Sequence, residues 1–435
     1  MRKNRTLKAV LSLAMTAVLG LGSAATVLAA PGPTTGANAD NVKIVKELQM
    51  DSTLTIPSGG FTFNFAFTPK KYNGETATST IVNGAAMPGV GNTSITVNTS
   101  DKDTTASTPS LDVYKKESTN KIFDNLATAW TAPGAYTYTV EESASGYTNA
   151  ANGETMTDST TKYEVTAYVK NDGSGGFEIE SIGVRTPGTT GSTGKIDVTP
   201  GVADNEFVFT NVFSKTAGGG GTDPAANASL TVSKTVAVSD HADYSKYFAF
   251  TMATTAAGTE TASTEYMAYL MDNGAALDIN AAANAANKVS GETYSTGTDA
   301  TYGSYIKVPA GGTLKVNLKD GQSVAFVGMG VGAQYDATES AATNYKGDID
   351  VTVNGASPVT VNGAYSTAVA TSTRVIGAST NAAAFTNSFD ETAQVITPTG
   401  ITTNDLPFIA MIVLAVGALG AFAVIKSRKR TTGAN

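Results

Sequence analysis

The chain has 435 residues, with 29 Lys and Arg, 37 Asp and Glu, one histidine and no cysteine. This length suggests two or three domains. With His241 alone and no Cys, we expect no Ser–His–Asp or Cys–His nucleophile, and a Cys/His zinc site and disulfide bonds are excluded. We therefore expect neither a resident metal nor another cofactor.

The two ends of the chain carry targeting signals. Four basic residues precede an apolar run, which predicts a secretory signal peptide over residues 1–29. Residues 406–425 are apolar and long enough to span a bilayer, and the basic tail 426–435 marks a cytoplasmic end. Removing four positive charges with the signal, and a net three with residues 400–435, leaves −15 on the exported part. This acidity argues against a nucleic-acid partner.

Between these ends the sequence is strand-like throughout. Thr, Val, Tyr and Phe alternate with polar residues, as in residues 61–67, and Gly, Asn, Asp and Ser interrupt the runs. Asp320-Gly321 lies between two apolar runs and predicts a hairpin. Residues 277–288, rich in Ala and Asn, look helical, and residues 72–110 are polar enough to predict a long surface excursion. The pattern predicts an all-β protein.

A run of glycines divides the exported part into two halves. Residues 216–227 contain Gly218–Gly221, a composition typical of a linker. The flanking segments, residues 40–215 and 228–390, are of similar size. Each opens with an apolar strand interrupted by a Lys and closes with a Phe-rich strand interrupted by an Asn. This repetition predicts two copies of one domain.

The same three polar residue types occur in the same order in both halves. They are Lys46, Glu142 and Asn211 in the first half, and Lys234, Glu339 and Asn387 in the second. Alternate residues of a strand share a face, and each of these residues shares its face with apolar neighbours. If those faces are buried, each half encloses an amine, a carboxyl group and a carboxamide. Glu141 points to the other face of its strand, so we rank it below Glu142 as the carboxyl group of the first cluster.

Such a cluster can react with itself. Burial lowers the pKa of a Lys and raises that of a carboxyl group. A neutral amine is a nucleophile, and a protonated Glu can hydrogen-bond the Asn carbonyl and polarise it. Attack on the amide carbon expels ammonia and leaves a Lys–Asn isopeptide bond. Because this happens once per domain, we expect maturation and not enzymatic turnover.

Each of these residues alone also has an ordinary structural explanation. A Lys in a strand commonly extends its amine to solvent, an Asn near a strand end commonly forms a turn, and a terminal Glu is commonly solvated. The repetition of three residue types, in one order and on one kind of face, favours the cross-link.

These segments resemble the backbone (major) pilins of Gram-positive bacteria, specifically those with streptococcal pilin isopeptide-linkage (FctA-like) domains. The matching segments are residues 45–48, 136–142 and 207–211 in the first half, and 230–234, 318–323, 331–335, Glu339 and 385–387 in the second. The resemblance covers residues 40–390 and implies two tandem immunoglobulin-like β-sandwiches of the CnaB type. It further implies the bonds Lys46–Asn211 and Lys234–Asn387, with Glu142 and Glu339 as catalytic carboxyls.

A pentapeptide before the apolar span resembles the sortase signal Leu-Pro-x-Thr-Gly. It consists of Ile396, Thr397, Pro398, Thr399 and Gly400. A sortase would cut between Thr399 and Gly400 and transfer the Thr399 carbonyl to an amine. A single-pass membrane protein with a chance Pro-Thr-Gly explains the sequence less well, because the pentapeptide, apolar span and basic tail stand in the expected order.

The Thr399 carbonyl would be transferred to a Lys amine of another copy. In related backbone pilins the acceptor Lys lies shortly before the cross-link Asn of the first domain. Lys195 is the only Lys between Lys170 and Asn211, which makes it the candidate. A solvated loop Lys is an equal interpretation.

The resemblance implies a secreted structural subunit of a cell-surface pilus. Its partners would be sortase, further copies of itself joined covalently head to tail, accessory pilins and peptidoglycan, after a membrane-bound precursor stage. One alternative is a wall-anchored adhesin that stays monomeric and gives no covalent multimers. Another is a surface hydrolase with paired carboxylates, which needs two acids in an aromatic-lined cleft, and the sequence shows no such cluster.

Overall fold

The computed structural model describes residues 41–76, 86–106, 111–126, 129–190, 193–261 and 263–393. The predicted signal peptide 1–29, sortase motif 396–400, apolar span 406–425 and basic tail lie outside these residues. Within the described ranges, no helix is long and apolar enough to cross a membrane. Nor do three or more His, Asp or Glu residues of those ranges cluster in a way that could hold a metal ion.

The first part of the chain contains twelve of the described strands. In chain order they are β1 (Val45–Asp51), β2 (Phe61–Tyr72), β3 (Glu75–Thr76), β4 (Thr93–Val97), β5 (Leu111–Glu117), β6 (Gly134–Ser143), β7 (Thr148–Asn149), β8 (Glu154–Thr157), β9 (Lys162–Asn171), β10 (Phe177–Arg185), β11 (Lys195–Ile196) and β12 (Val208–Lys215). One sheet has the order β5-β1-β12-β8-β7, and the other has the order β11-β10-β9-β6-β2-β3, with β4 also paired to β2.

The second part repeats this two-sheet arrangement. Its strands are β13 (Leu230–Val236), β14 (Phe248–Thr255), β15 (Glu265–Asp272), β16 (Ala275–Leu277), β17 (Thr296–Asp299), β18 (Gly303–Pro309), β19 (Thr313–Leu318), β20 (Gln322–Val327), β21 (Gln334–Glu339), β22 (Tyr345–Thr352), β23 (Val359–Tyr365), β24 (Val369–Ala370), β25 (Arg374–Val375) and β26 (Ala382–Phe389). The larger sheet has the order β17-β18-β15-β20-β13-β26-β22-β23, with β16 on β15. The smaller has the order β19-β14-β21-β24, with β25 on β21.

The described helical segments are short 3₁₀ turns between strands. They are Thr99–Asp101, Asp124–Leu126, Ala150–Asn152, Ala282–Asn287 and Glu391–Ala393. The structure therefore confirms the all-β prediction.

Aromatic side chains join the two sheets of each half. Over residues 61–67 of β2 every second residue is a buried Phe, and the residues between are exposed or half-buried. Phe65 of β2 packs on Phe209 of β12, with ring centroids 4.9 Å apart. In the second half, Phe250 of β14 packs on Phe385 of β26 at 5.0 Å. Each half is thus a β-sandwich whose core lies between its two sheets, as predicted.

The first and last strands of each half are parallel neighbours in the same register. Lys46 of β1 pairs with Phe209 of β12, so Asn211 lies two residues further along on the same face. Lys234 of β13 pairs with Phe385 of β26, which again places the Asn two residues further along. The Lys and the Asn of each half therefore project into the same sandwich core.

The segment predicted as a linker, residues 216–227, is packed between the two halves. The N–H of Ala217 donates to the Met329 carbonyl at 2.9 Å. A Cβ on Gly220 would lie 1.8 Å from the Ala150 carbonyl oxygen, so only glycine fits there. The glycines of this segment thus permit close backbone contact and not only flexibility.

The segment that looked helical, residues 277–288, forms no α-helix. It contains the kinked 3₁₀ turn Ala282–Asn287, in which Asn284 departs from helical dihedrals. The Asn284 side chain donates to the Asp278 carbonyl at 2.7 Å. Asn side chains that bond nearby backbone compete with helix formation, which explains the difference.

Of residues 72–110, those that the structure describes are only partly a surface excursion. Their strand β4 pairs antiparallel with β2, and its apolar residues Ile95 and Val97 are buried. The low aromatic content of this segment concealed a short strand with two β-branched core residues.

Candidate functional site

The first candidate site is a buried cluster of one amine, one carboxyl group and one carboxamide. Lys46 on β1 and Asn211 on β12 come from one sheet, and Glu142 on β6 comes from the facing sheet. The Lys46 Nζ lies 2.7 Å from Glu142 Oε2 and also contacts Asn211 Oδ1. Asn211 Nδ2 donates to Glu142 Oε1 at 2.6 Å. A single carboxyl group therefore bridges the amine and the amide nitrogen.

This cluster is shielded from solvent. Lys46 and Asn211 are 0% exposed, and so is the side chain of Glu142. The ring of Phe63 lies under the Lys46 amine, 4.3 Å from Nζ to the ring centroid. Lys46 Nζ also donates to the Phe209 carbonyl at 3.2 Å. The amine is therefore held by short contacts in an apolar surrounding.

The second candidate site repeats this arrangement between β13, β21 and β26. The Lys234 Nζ lies 3.3 Å from Glu339 Oε2, and Asn387 Nδ2 donates to Glu339 Oε1. The ring of Phe248 lies 4.2 Å from the Lys234 amine. All three polar residues are at most 2% exposed. The structure thus brings together each predicted triad.

Burial changes the acidity of these groups in the direction that the chemistry needs. Removal from water lowers the pKa of Lys46 and of Lys234 to about 8, against the attraction of the neighbouring Glu. Burial likewise raises the pKa of Glu142 and of Glu339 above the ordinary value, although the Lys amines oppose this. Both shifts favour a neutral amine beside a protonated acid.

One feature of the first cluster differs from the expected contact between acid and carbonyl. The backbone N–H of Ser159 donates to Asn211 Oδ1 at 2.9 Å. Because an N–H can only donate, it places the amide oxygen there and turns the amide nitrogen towards Glu142. The acid thus faces the nitrogen that would leave as ammonia.

Two groups beside this cluster were missed by the sequence reasoning. Asp158 Oδ1 accepts a hydrogen bond from Asn211 Nδ2 at 3.2 Å, and the Ser159 N–H bonds the amide oxygen. Both residues follow the end of β8, which is the next strand after β12 in the sheet. The two-residue period of a strand assigns no face to residues beyond the strand end. The sequence pattern therefore gave no signal for Asp158 or Ser159.

Glu141, ranked second to Glu142, lies outside the cluster. It pairs with Lys162 on the neighbouring strand β9, and its side chain is 40% exposed. The alternation of side chains along β6 separates the two acids onto opposite faces of the sheet.

Lys195, the candidate acceptor, is not part of the cluster. It lies on the edge strand β11, paired with Arg185 of β10. Strands β10 and β9 separate it from β6, which carries Glu142. Its side chain is half-buried, and no salt bridge or side-chain hydrogen bond joins it to another described residue.

Comparisons with known proteins return a family model and solved structures. The family model is described as a domain of unknown function (DUF7601) and matches residues 228–389. No curated protein matches the chain.

Similar solved structures include pilus proteins. A crystal structure of a mutant of the Streptococcus pyogenes major pilin is 18% identical and covers 80% of this chain and 99% of its own, with a TM-score of 0.33. The major pilin protein T3.2 of Streptococcus pyogenes is 19% identical over 81% of this chain and 99% of its own, with a TM-score of 0.30. A pilus-presented adhesin is 16% identical over 52% of this chain and 36% of its own, with a TM-score of 0.23.

Proposed function

We propose that this chain is a structural subunit of a Gram-positive pilus whose two domains each close with an internal isopeptide bond. The bonds join Lys46 to Asn211 and Lys234 to Asn387. The observation that carries this proposal is the repeated buried contact of one amine, one acid and one amide, in the same strand register. Because each cluster consumes its own side chains, it reacts once and the chain is not a turnover enzyme.

The geometry supports a direct substitution at the amide carbon. The neutral Lys46 amine attacks Cγ of Asn211, whose oxygen its Nζ already contacts. Glu142 begins protonated, so Oε1 delivers its proton to Nδ2 while Oε2 receives a proton from Nζ, since the two oxygens face the two nitrogens. The bond from Cγ to Nδ2 then breaks and ammonia leaves. Glu339 takes the same role between Lys234 and Asn387.

The position of the bonds suits a fibre under tension. Each bond joins the first and the last strand of its domain, so a pulling force passes through covalent bonds instead of the hydrogen-bonded ladders. The first bond closes a loop of 165 residues. By analogy with disulfides, such a closure restricts the unfolded chain by about 5 kcal/mol. The bonds would replace the disulfides that a chain without Cys cannot form.

Assembly would proceed through the C-terminal sorting motif. We propose that a sortase transfers the carbonyl of Thr399 to Lys195 of another copy, and that accessory pilins and peptidoglycan are joined by the same chemistry. The absence of competing side-chain partners for Lys195 among the described residues supports it as the acceptor. The mature protein would then be exposed on the cell surface and anchored to the wall.

Replacement of the acceptor tests this assembly. Lys195→Ala should abolish the ladder of covalent multimers in wall extracts of a Gram-positive host that supplies a pilin sortase. Lys170→Ala, on strand β9 of the same sheet, should leave the ladder intact and serves as the control. A ladder that persists without Lys195 moves the acceptor elsewhere, and no ladder from the unaltered chain favours a monomeric wall-anchored adhesin.

A further inference from the structure

The first cluster holds two groups that the second lacks. The Ser159 N–H donates to the oxygen of the Asn211 amide, and Asp158 accepts from the nitrogen of that amide. In the second cluster, Asn387 Oδ1 has no hydrogen-bond partner among the described residues. The two amides therefore enter the same reaction with different support.

The Ser159 N–H lies where charge develops during the reaction. When the Lys46 amine adds to the amide carbon, negative charge moves onto Asn211 Oδ1. A preorganised N–H at 2.9 Å stabilises that oxyanion. In enzymes that stabilise an oxyanion in this way, removing one such donor slows the reaction about 100-fold to 1000-fold.

Asp158 lies at the atom that leaves. The two hydrogens of Asn211 Nδ2 are accepted by two acids, Glu142 at 2.6 Å and Asp158 at 3.2 Å. The other carboxylate oxygen of Asp158 accepts the Ser145 N–H at 3.0 Å, which fixes the orientation of this carboxylate. Lys46, Glu142 and Asn211 have no exposed side-chain surface, whereas Asp158 is half-buried. Asp158 therefore links the leaving nitrogen to a part of the protein that is partly exposed to solvent.

We infer that Asp158 and the Ser159 N–H are catalytic groups of the first isopeptide reaction. The N–H stabilises the oxygen of the tetrahedral intermediate, and the Asp158 carboxylate holds the leaving nitrogen and guides it outward. The bond from Lys46 Nζ to Cγ forms, the bond from Cγ to Nδ2 breaks, and one proton passes from Nζ to Nδ2 through Glu142. This inference rests on the proposed function.

The second cluster provides an internal reference for the test. The full chain is synthesised in a cell-free reaction, quenched in denaturant at timed intervals and digested. The branched peptides at Lys46–Asn211 and Lys234–Asn387 are then quantified by mass spectrometry. The ratio of the two rates within one chain cancels differences in synthesis and quenching.

Asp158→Asn removes the charge and retains an oxygen for the Ser145 N–H. It should slow the first junction about tenfold and leave the second unchanged. Asp172→Asn is the matched control, because Asp172 is an exposed turn residue of the same half that accepts the Ser174 and Gly176 N–H groups. It should alter neither rate.

Ser159 provides a second, independent variant pair. Ser159→Pro deletes the N–H and should slow the first junction at least tenfold, whereas Ser159→Ala retains the N–H and should react at the original rate. If Asp158→Asn reacts at the original rate, or slows both junctions equally, the inference is wrong while the proposed function stands. If the unaltered chain yields neither branched peptide, the proposed function itself fails.

Discussion

The two clusters share a buried amine, acid and amide and differ in what surrounds the amide. In both, parallel pairing of the first and last strands sets the Lys and the Asn two register positions apart. Beyond that pairing, the sheets diverge. In the first half β8 follows β12, and the residues after β8 reach Asn211, whereas in the second half β22 follows β26 and places Gly347 opposite Asn387. A Cβ on Gly347 would lie 3.0 Å from Asn387 Oδ1.

This difference separates the groups that both clusters share from those that only the first cluster holds. An amine, an acid and an amide in a buried core recur in both halves, so we regard them as the minimal set of the proposed reaction. Among the residues that the structure describes, the added donor and carboxylate occur only in the first half. The following predictions treat each half as the reference for the other.

The largest expected effect is the loss of one bond in one half. Asn211→Ala should lower the free energy of unfolding of the first half by about 5 kcal/mol, because the unfolded chain is no longer closed into a long loop. Trp130, the only tryptophan, is buried in the first half and reports its unfolding by fluorescence in a denaturant titration. Asn387→Ala should leave the denaturant midpoint of the Trp130 transition unchanged. Equal shifts from both variants would contradict independent closure of the two halves.

A smaller effect depends on pH and requires the amine to remain free. In Asn211→Ala, the folded pKa of Lys46 near 8 lies below its ordinary 10.5, so the unfolded chain binds more protons between these values. Stability should therefore rise as pH increases from about 8 to 10.5, by about 3 kcal/mol, and should fall again as pH returns to 8. Lys46→Met also lacks the bond but has no amine. The stability measured through its Trp130 transition should therefore not rise between pH 8 and 10.5 in this way. Identical pH profiles would mean that Lys46 is not held in a desolvating site.

The sequence predicted the two buried triads because their residues lie on strands. The period of two assigned Lys46 and Asn211 to faces rich in apolar residues, and the repetition in the second half supported that assignment. The same period separated Glu142 from Glu141, which the structure places in an exposed ion pair. Strand periodicity is informative wherever one face of a sheet is buried.

The sequence could not predict features that depend on how separate segments meet. Asp158 and Ser159 reach Asn211 only because β8 ends beside β12. Residues 216–227 have the composition of a flexible linker, yet Gly220 packs on Ala150, a contact between segments far apart in sequence. Composition indicates that a segment can be flexible, but its tertiary contacts determine whether it is.

The most direct test of the central claim is the mass of the full chain, produced without a sortase, compared with that of Glu142→Ala and Glu141→Ala. The unaltered chain and Glu141→Ala should each fall short of the calculated mass by two ammonia molecules. Glu142→Ala should fall short by one, because the first junction has lost the acid that carries its protons while the second still reacts. A full calculated mass for the unaltered chain would contradict both bonds and, with them, the proposal of a self-linked pilus subunit.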